Sequence, residues 1–343
     1  MPNVVTDSNP ITLADFEGLT SDKPVRQLIH TIRDYNGFFD QAVIQRGNDG
    51  FGDRGKVVTS YPEGQVRAFN EGWDAERVTG ADVRYAAAMV RSRSEVDKSL
   101  LDTRKPNERA AFRLRTDEGF MRGLSRSVLK KVLYGDSNLE TRDPNGILNI
   151  VTLQNEAFAD RIIDAKGTTE NKQTDILLIN WDPASTYLFY PENGSNAGLS
   201  VENMGEQYAF DANGKRFRAE ITEFAWDIGV AMYDPQRVVR IANIDSTKLT
   251  KKNTTGPDLL DLMIDALERL PDEQQGRVAF YMNDNTRSFL ARQILNKDNV
   301  LLSQDEVAGR KCMTFRGVPI HRLGTDIMPN TGKVLKERKD DGY

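Results

Sequence analysis

The sequence predicts an α+β fold, in which helices alternate with antiparallel hairpins and buried strands. Residues 107–134 carry one apolar face at helical spacing, made of Phe120, Met121, Leu124, Val128 and Val132. Antiparallel hairpins are predicted around Asn213-Gly214 and within 311–323, where short strands flank glycine-containing turns. The apolar run 175–181, "DILLINW", is typical of a buried strand.

Composition limits the classes of protein to which the chain can belong. Its 343 residues suggest about two domains, and 38% apolar with 28% charged residues is typical of a folded, soluble chain. That apolar share is low for the length, and such chains often bury surface against other chains. A net charge of −5 and a pI near 5.4 indicate no general attraction to nucleic acid or membrane.

Targeting and redox signals are also weak. The single cysteine, Cys312, excludes an intramolecular disulfide and is compatible with a reducing compartment. We find no apolar run of about 18 residues, which a membrane span would need. The N-terminal residues lack the basic flank and apolar core of a signal peptide.

The first elements are a helix and a polar hairpin. The segment "KPVRQLIHTIRDYN", 23–36, is predicted to be an amphipathic helix, with Val25, Leu28, Ile29 and Ile32 on one face. The segments "GKVVTS" and "QVRAFN" are predicted as the two arms of a hairpin, whose tip is formed by Tyr61, Pro62, Glu63 and Gly64. These arms hold few large apolar side chains, and an isolated hairpin is marginally stable in water. The hairpin is therefore either a mobile loop or a segment that lies on another subunit.

The glycine-rich stretch before this hairpin, "GFGDRGK", satisfies two phosphate-binding patterns, through Gly50, Gly52, Gly55 and Lys56. A phosphate loop requires a helix directly after it, and a Ser or Thr after the lysine. Val57 follows Lys56, and the β-branched run 57–59 favours a strand. A flexible bend that opens a β-hairpin is therefore the preferred interpretation over nucleotide binding.

An extended segment, 81–99, leads to the long helix, which Gly135 is predicted to close as the C′ residue. Opposite the apolar face of this helix lies a basic ridge, made of Arg115, Arg122, Arg126 and Lys130. A ridge of this kind is either a solvated face or a contact with a polyanion or an acidic neighbour.

The second half of the chain alternates between strands and helices. Asn213-Gly214 predicts a type I′ turn within the hairpin 207–234, and a strand is predicted at 237–245. A helix with Pro257 in its first turn follows. A strand beginning at Arg277, a further helix and the hairpin 311–323 complete the predicted elements.

Residues that could carry chemistry are few. His30 and His321 have no neighbouring cysteine or second histidine, so a zinc site is not predicted. Neither histidine accompanies the nucleophile motif of a hydrolase, and Cys312 is interpreted as a core residue. We therefore predict no catalytic, cofactor or metal site and no enzymatic activity, which favours a structural role.

Five segments in this order resemble the tailed-bacteriophage major capsid proteins, which have the Hong Kong 97-like fold. They are "SEVDKSLLD" (94–102), "FYPENGSNAGL" (189–199), "WDIGVAMYDPQRVVRIANID" (226–245), "YMNDNTRSFL" (281–290) and "GVPIHRL" (317–323). The resemblance implies an N-terminal arm at 1–45 and an extended loop (E-loop) with its return strand at 46–100. It further implies a peripheral domain with a spine helix at 101–145, and an axial domain at 146–343 that includes returning peripheral strands at about 205–248.

The resemblance also implies a function and partners. Many copies, as pentamers and hexamers, would form an icosahedral head shell around double-stranded DNA, with the glycines at 50, 52 and 55 as the E-loop hinge. A separate scaffolding protein, a portal and a decoration protein are implied partners, DNA contact would be weak and non-specific, and no membrane is expected. The protein would be located in the virion after assembly in the host cytoplasm. Because the predicted tip has no lysine, we do not expect the covalent E-loop cross-links of some members. An encapsulin-like nanocompartment and, more remotely, a nucleotide-binding enzyme are the alternatives.

Overall fold

The structure is a computed structural model of the 343-residue chain. It describes residues 12–60, 62–249, 256–271, 277–294, 302–307 and 310–336.

The N-terminal part is helical and then enters a sheet. It contains α1 (Leu13–Leu19), α2 (Lys23–Tyr35), a 3₁₀ turn (Gly37–Asp40) and β1 (Ile44–Arg46). The predicted apolar face of α2 is confirmed, since all four of its predicted residues are buried. Asn36, which ends α2, donates through its side chain to Ser125 of the long helix. This part of the chain is therefore packed against the body of the subunit.

A long ribbon and the longest helix follow. The elements are β2 (Gly52–Ser60), β3 (Thr79–Ala86), β4 (Ala88–Asp97), α3 (Lys98–Asp102), α4 (Pro106–Tyr134), α5 (Ile147–Ile150) and α6 (Glu156–Ala159). Helix α4, for which we keep the name spine helix, confirms the helix predicted at 107–134 to within one residue. Its apolar stripe packs against β4 and β9 (Arg216–Met232), with four of its five residues buried and Phe120 half-buried. Gly135 ends the helix at φ −52° as its C-cap and not in the left-handed C′ conformation that we predicted. A Cβ at Gly135 would lie 2.3 Å from the Pro144 carbonyl oxygen, so close packing accounts for the glycine.

The central strands are β5 (Ile162–Asp164), β6 (Gln173–Trp181), β7 (Thr186–Tyr190), β8 (Leu199–Phe210), β9 (Arg216–Met232) and β10 (Val238–Asp245). The β8–β9 hairpin is confirmed, but its turn is not type I′. Only Gly214 has a positive φ of 75°, and Asp211 Oδ1 accepts bonds from the backbone N–H groups of Asn213 and Lys215. The Asp211 side chain therefore organises a longer turn than the Asn-Gly signal predicts.

The last elements are α7 (Leu259–Glu268), β11 (Arg277–Asn283), α8 (Asp284–Ile294), β12 (Leu302–Val307), β13 (Arg310–Phe315) and β14 (Val318–Leu323). Helix α7 begins one residue after its N-cap Asp258, so Pro257 precedes the helix and does not lie in its first turn. The β13–β14 hairpin is confirmed, with Arg316 and Gly317 both at positive φ.

Two main sheets organise the subunit. One has the order β1-β7-β9-β4, with β8 also paired to β9, and the other has the order β12-β13-β14-β11-β6-β10-β5. Strand β6 is buried on both faces, as predicted. Its residues Leu177, Ile179 and Trp181 enter one core with the spine helix, whereas Ile176 and Leu178 enter a second core with α7. The seven-stranded sheet thus separates two hydrophobic cores.

Candidate assembly interface

The strands β2 and β3 form a two-stranded ribbon that belongs to neither main sheet. We call residues 52–86 the arm and residues 62–78 its apex. The predicted pairing of the two hairpin arms was wrong, because β2 pairs with 79–86 and not with "QVRAFN". Residues 65–70 carry a turn-flanked apolar pattern but make no ladder with β2. The arm is therefore longer than the sequence predicts.

The apex is exposed along its whole length, since every residue from 62 to 79 is exposed. Hydrogen bonds and a cation–π contact within the apex stabilise its conformation. Glu76 accepts from the Gly64 N–H at 3.1 Å and from the Gln65 amide at 2.9 Å, and the Arg67 guanidinium lies 5.0 Å from the Trp73 ring centroid. The apex therefore has internal order without a hydrophobic core.

The chain reverses farther out than predicted. Glu71 N–H donates to the Ala68 carbonyl at 3.3 Å, and Asn70 between them has a φ of 65°. Pro62, Glu63 and Gly64, predicted as the tip, lie on the outgoing side of the apex, while Tyr61 lies outside the described residues. Their predicted part in assembly remains a prediction.

Large apolar side chains are concentrated at the apex. Val66 and Phe69 are fully exposed, at 105% and 101%, and Trp73 is 66% exposed. Exposed apolar groups that cluster on one projection are typical of a surface that binds another chain. Val66 and Phe69 lie in the segment "QVRAFN", which was predicted as a hairpin arm, and the sequence analysis did not single out Trp73.

The glycine-rich stretch lies at the root of the arm and is not a phosphate loop. Lys56 pairs with Asp82 in the β2–β3 ladder, and the chain continues as a strand to Ser60. No helix N-terminus is therefore available to bind an anion there. Gly50 has a φ of +57° in a turn closed by two hydrogen bonds between Asp49 and Gly52.

Close packing explains why positions 52 and 55 are occupied by Gly52 and Gly55. A Cβ on Gly52 would lie 2.8 Å from the Tyr85 carbonyl oxygen, and one on Gly55 would lie 2.5 Å from the Tyr233 ring. The hinge role that we predicted for the three glycines remains a prediction.

A buried carboxylate at the root escaped the sequence analysis. Asp53 is 1% exposed, and its Oδ2 accepts from the hydroxyls of Tyr187 and Tyr233, both at 2.7 Å. Burial, and then the hydrogen bond to Asp53, raise the pKa of both phenols above the ordinary value, so both stay protonated donors. The sequence signal was slight: Asp53, Gly55 and Val57 alternate on one face of β2.

All four residues of the basic ridge are exposed on the spine helix. Two of them have partners within the subunit: Arg122 lies 3.9 Å from the Tyr35 ring centroid and 3.8 Å from Glu118, and Arg126 bonds to Asp326. Across the described ranges, neither Arg115 nor Lys130 forms an ion pair. Part of the predicted ridge is thus neutralised within the chain.

Among the described residues, no group of three or more His, Cys, Asp or Glu side chains could hold a metal ion. Within the same residues, no helix has both the length and the apolar character needed to cross a bilayer. His321 is buried and stacked on Tyr281, with ring centroids 5.5 Å apart.

Comparison with known proteins identifies the family. The profile of the family described as major capsid protein GP7 matches residues 20–335, which is most of the chain. No curated protein sequence matches the chain. A chain of the bacteriophage Epsilon15 structure is similar over 86% of this chain and 88% of its own length, at 27% identity and a TM-score of 0.65.

Other solved structures are more distant. The bacteriophage JBD30 capsid is similar over 85% of this chain and 91% of its own, at 9% identity and a TM-score of 0.51, which shows the fold alone. These neighbours confirm the Hong Kong 97-like fold and the predicted resemblance. The chain therefore belongs to the major capsid protein GP7 family, and it is a phage head shell protein found in the virion.

Proposed function

We propose that each subunit joins the shell by laying the apex of its arm on a neighbouring copy, within pentamers and hexamers. The single observation that carries this proposal is the exposed apex, where Val66 and Phe69 are fully exposed and Trp73 is 66% exposed. Contact with a second chain removes this apolar surface from water. The free backbone edges of β2 and β3 can add hydrogen bonds to a neighbour by strand addition.

The test replaces residues 62–78 with a short Gly-Ser linker. Because no residue of the apex is buried, the variant subunit should keep its circular dichroism spectrum and melting temperature but fail to form particles. A matched control, Glu63→Gln with Arg77→Gln, changes exposed apex charges and keeps the apolar side chains, so it should assemble. Loss of subunit folding in the linker variant, or normal particles, would refute the proposal.

The remaining assignments rest on the resemblance to tailed-phage capsid proteins. The boundaries 1–45, 46–100, 101–145 and 146–343 serve as the working domain division. The icosahedral head encloses double-stranded DNA, assembles in the bacterial cytoplasm with a separate scaffolding protein, portal and decoration protein, and has no enzymatic activity. Particles purified from infected cells should contain DNA; particles filled with a protein cargo would instead support the nanocompartment alternative.

The basic ridge contacts an acidic surface of a neighbouring subunit in this proposal. In the described residues Arg115 and Lys130 have no ion-pair partner, and the acidic net charge of the chain offers complementary surfaces elsewhere. The paired substitution Arg115→Gln with Lys130→Gln should impair the assembly of empty shells. Normal empty shells that fail only to retain DNA would show that the ridge binds phosphate instead, with a salt slope reduced by about 0.9 per lost contact.

A further inference from the structure

The root of the arm is fastened by an unusual group of polar contacts. Asp53 Oδ2 accepts two phenol hydrogen bonds, and its Oδ1 accepts the Asn48 backbone N–H at 3.1 Å. Among the described residues, no lysine or arginine forms an ion pair with Asp53. A buried carboxylate is costly unless its oxygens are hydrogen-bonded, so these three donors account for its presence in the interior.

The tyrosines connect the arm to the five-stranded sheet. Tyr187 lies in β7 and Tyr233 directly follows β9, whereas Tyr85 lies opposite Asp53 in the arm ladder. The Tyr85 hydroxyl donates to the Met232 carbonyl at 2.7 Å, and the Tyr85 and Tyr233 rings are 5.4 Å apart. Both strands of the arm are therefore tied to the same sheet.

Two further features restrict movement at the root. The Tyr233 ring fills the space where Gly55 would carry a Cβ, so this ring lies directly against β2. The Asn48 side chain pairs with the backbone of Arg54, accepting from its N–H and donating to its carbonyl, each at 2.8 Å. The first residues of β2 are thus held from both sides.

We propose that Asp53, Tyr187 and Tyr233 form a root clamp, a set of positioning residues that fixes the direction in which the arm leaves the subunit. In this proposal the arm does not bend at the three root glycines. The proposal rests on the function proposed above, because the direction of the arm matters only if its apex docks on a neighbour.

The chemistry of the clamp suits this role. Hydrogen bonds weaken steeply when their angle departs from linearity, whereas apolar contacts tolerate sliding. Two bonds converge on one carboxylate oxygen, one from β7 and one from the residue after β9. They therefore define a position for β2 that apolar packing alone would leave less well defined.

The test compares amide hydrogen exchange in full-length free subunits. The variants are Tyr187→Phe with Tyr233→Phe, which removes both donors, and Asp53→Asn, which keeps the side-chain shape but has only one acceptor oxygen. Tyr208→Phe, at a tyrosine that is 65% exposed, is the matched control. Strand β10, in which every residue is buried, is the internal reference.

We expect amides in β2 and β3 to exchange roughly tenfold faster or more in both clamp variants, the effect of losing a charge-assisted hydrogen bond. Exchange in β10 and in the control should equal that of the unmodified protein. Unchanged exchange in β2 and β3 would overturn the clamp. Equal acceleration in β10 would also overturn it, since the cluster would then only stabilise the core.

Assembly provides the second measurement. The clamp variants should form particles about tenfold more slowly, because the apex is presented in the wrong direction for most encounters and association rates depend on orientation. If replacement of the apex leaves assembly unchanged, the proposed function fails, while the exchange measurement still decides whether the clamp holds the root.

Discussion

Phe69→Ala is the sharpest test of the arm as an assembly element. Phe69 is 101% exposed in the subunit and lies beside the outermost turn of the apex. Complete burial of a phenylalanine side chain against another chain contributes roughly 2–3 kcal/mol. Since about 1.4 kcal/mol corresponds to a tenfold change in an equilibrium constant, each arm contact should weaken by roughly 30-fold to 140-fold.

The assay is a dilution series followed by light scattering and size-exclusion chromatography. We expect the subunit concentration needed for particle formation to rise by about 30-fold or more, while the melting temperature of the free subunit stays unchanged. Ala68→Ser, in the same turn, controls for disturbance of the apex and should assemble normally. Particle formation at the original concentration, or a subunit that melts several degrees lower, would show that Phe69 does not act between subunits.

Three further predictions follow from the subunit itself. Gly119→Ala and Gly123→Ala in the spine helix should each stabilise the free subunit by up to ~1 kcal/mol, because an added Cβ meets nothing within 4 Å. A lower melting temperature in either variant would contradict the exposed placement of both glycines. Burial, and then the charge of Arg287, lower the pKa of His321 to about 4. Because the histidine of the unfolded chain binds a proton near pH 6.5, the free energy of unfolding should fall by up to ~3 kcal/mol as the pH is lowered from about 6.5 to 4. If His321→Gln shows the same pH dependence of the unfolding free energy, this prediction is refuted. The arm has no lysine beyond Lys56, so boiled particles should run as single chains near 38.6 kDa in detergent gels, and a ladder of larger species would be the contrary result.

Elements whose signal is local were predicted well. The apolar stripe of α4 recurs at helical spacing between residues 120 and 132, and β6 contains the apolar run 176–179, so neither prediction depends on knowledge of distant residues. The family resemblance then supplied the architecture that these local patterns leave open.

The arm was predicted less accurately, because its pairing is set by tertiary contacts. Pro62–Gly64 are residue types typical of a turn, but the chain reverses at 68–71. Strand β2 then pairs with β3, in which Tyr85 lies opposite Asp53. Tyr187 and Tyr233 are 134 and 180 residues from Asp53 in sequence. No local pattern predicts that such residues meet, and the cluster was found only in the folded chain.

Strand β9 gives the subunit a mechanical property. It begins at the turn after Asp211 and ends at Met232, whose carbonyl oxygen accepts the Tyr85 hydroxyl at the root of the arm. Its 17 residues span roughly 55 Å at about 3.3 Å each. A pulling force on the arm is therefore transmitted along one continuous strand, to whose two edges β4 and β8 are hydrogen-bonded. To move β9 along its axis, such a force would have to break many of these hydrogen bonds at once. The subunit should therefore resist stretching along the axis of β9 far more than bending perpendicular to that axis. A shell under tension would be strongest where β9 lies parallel to the shell surface.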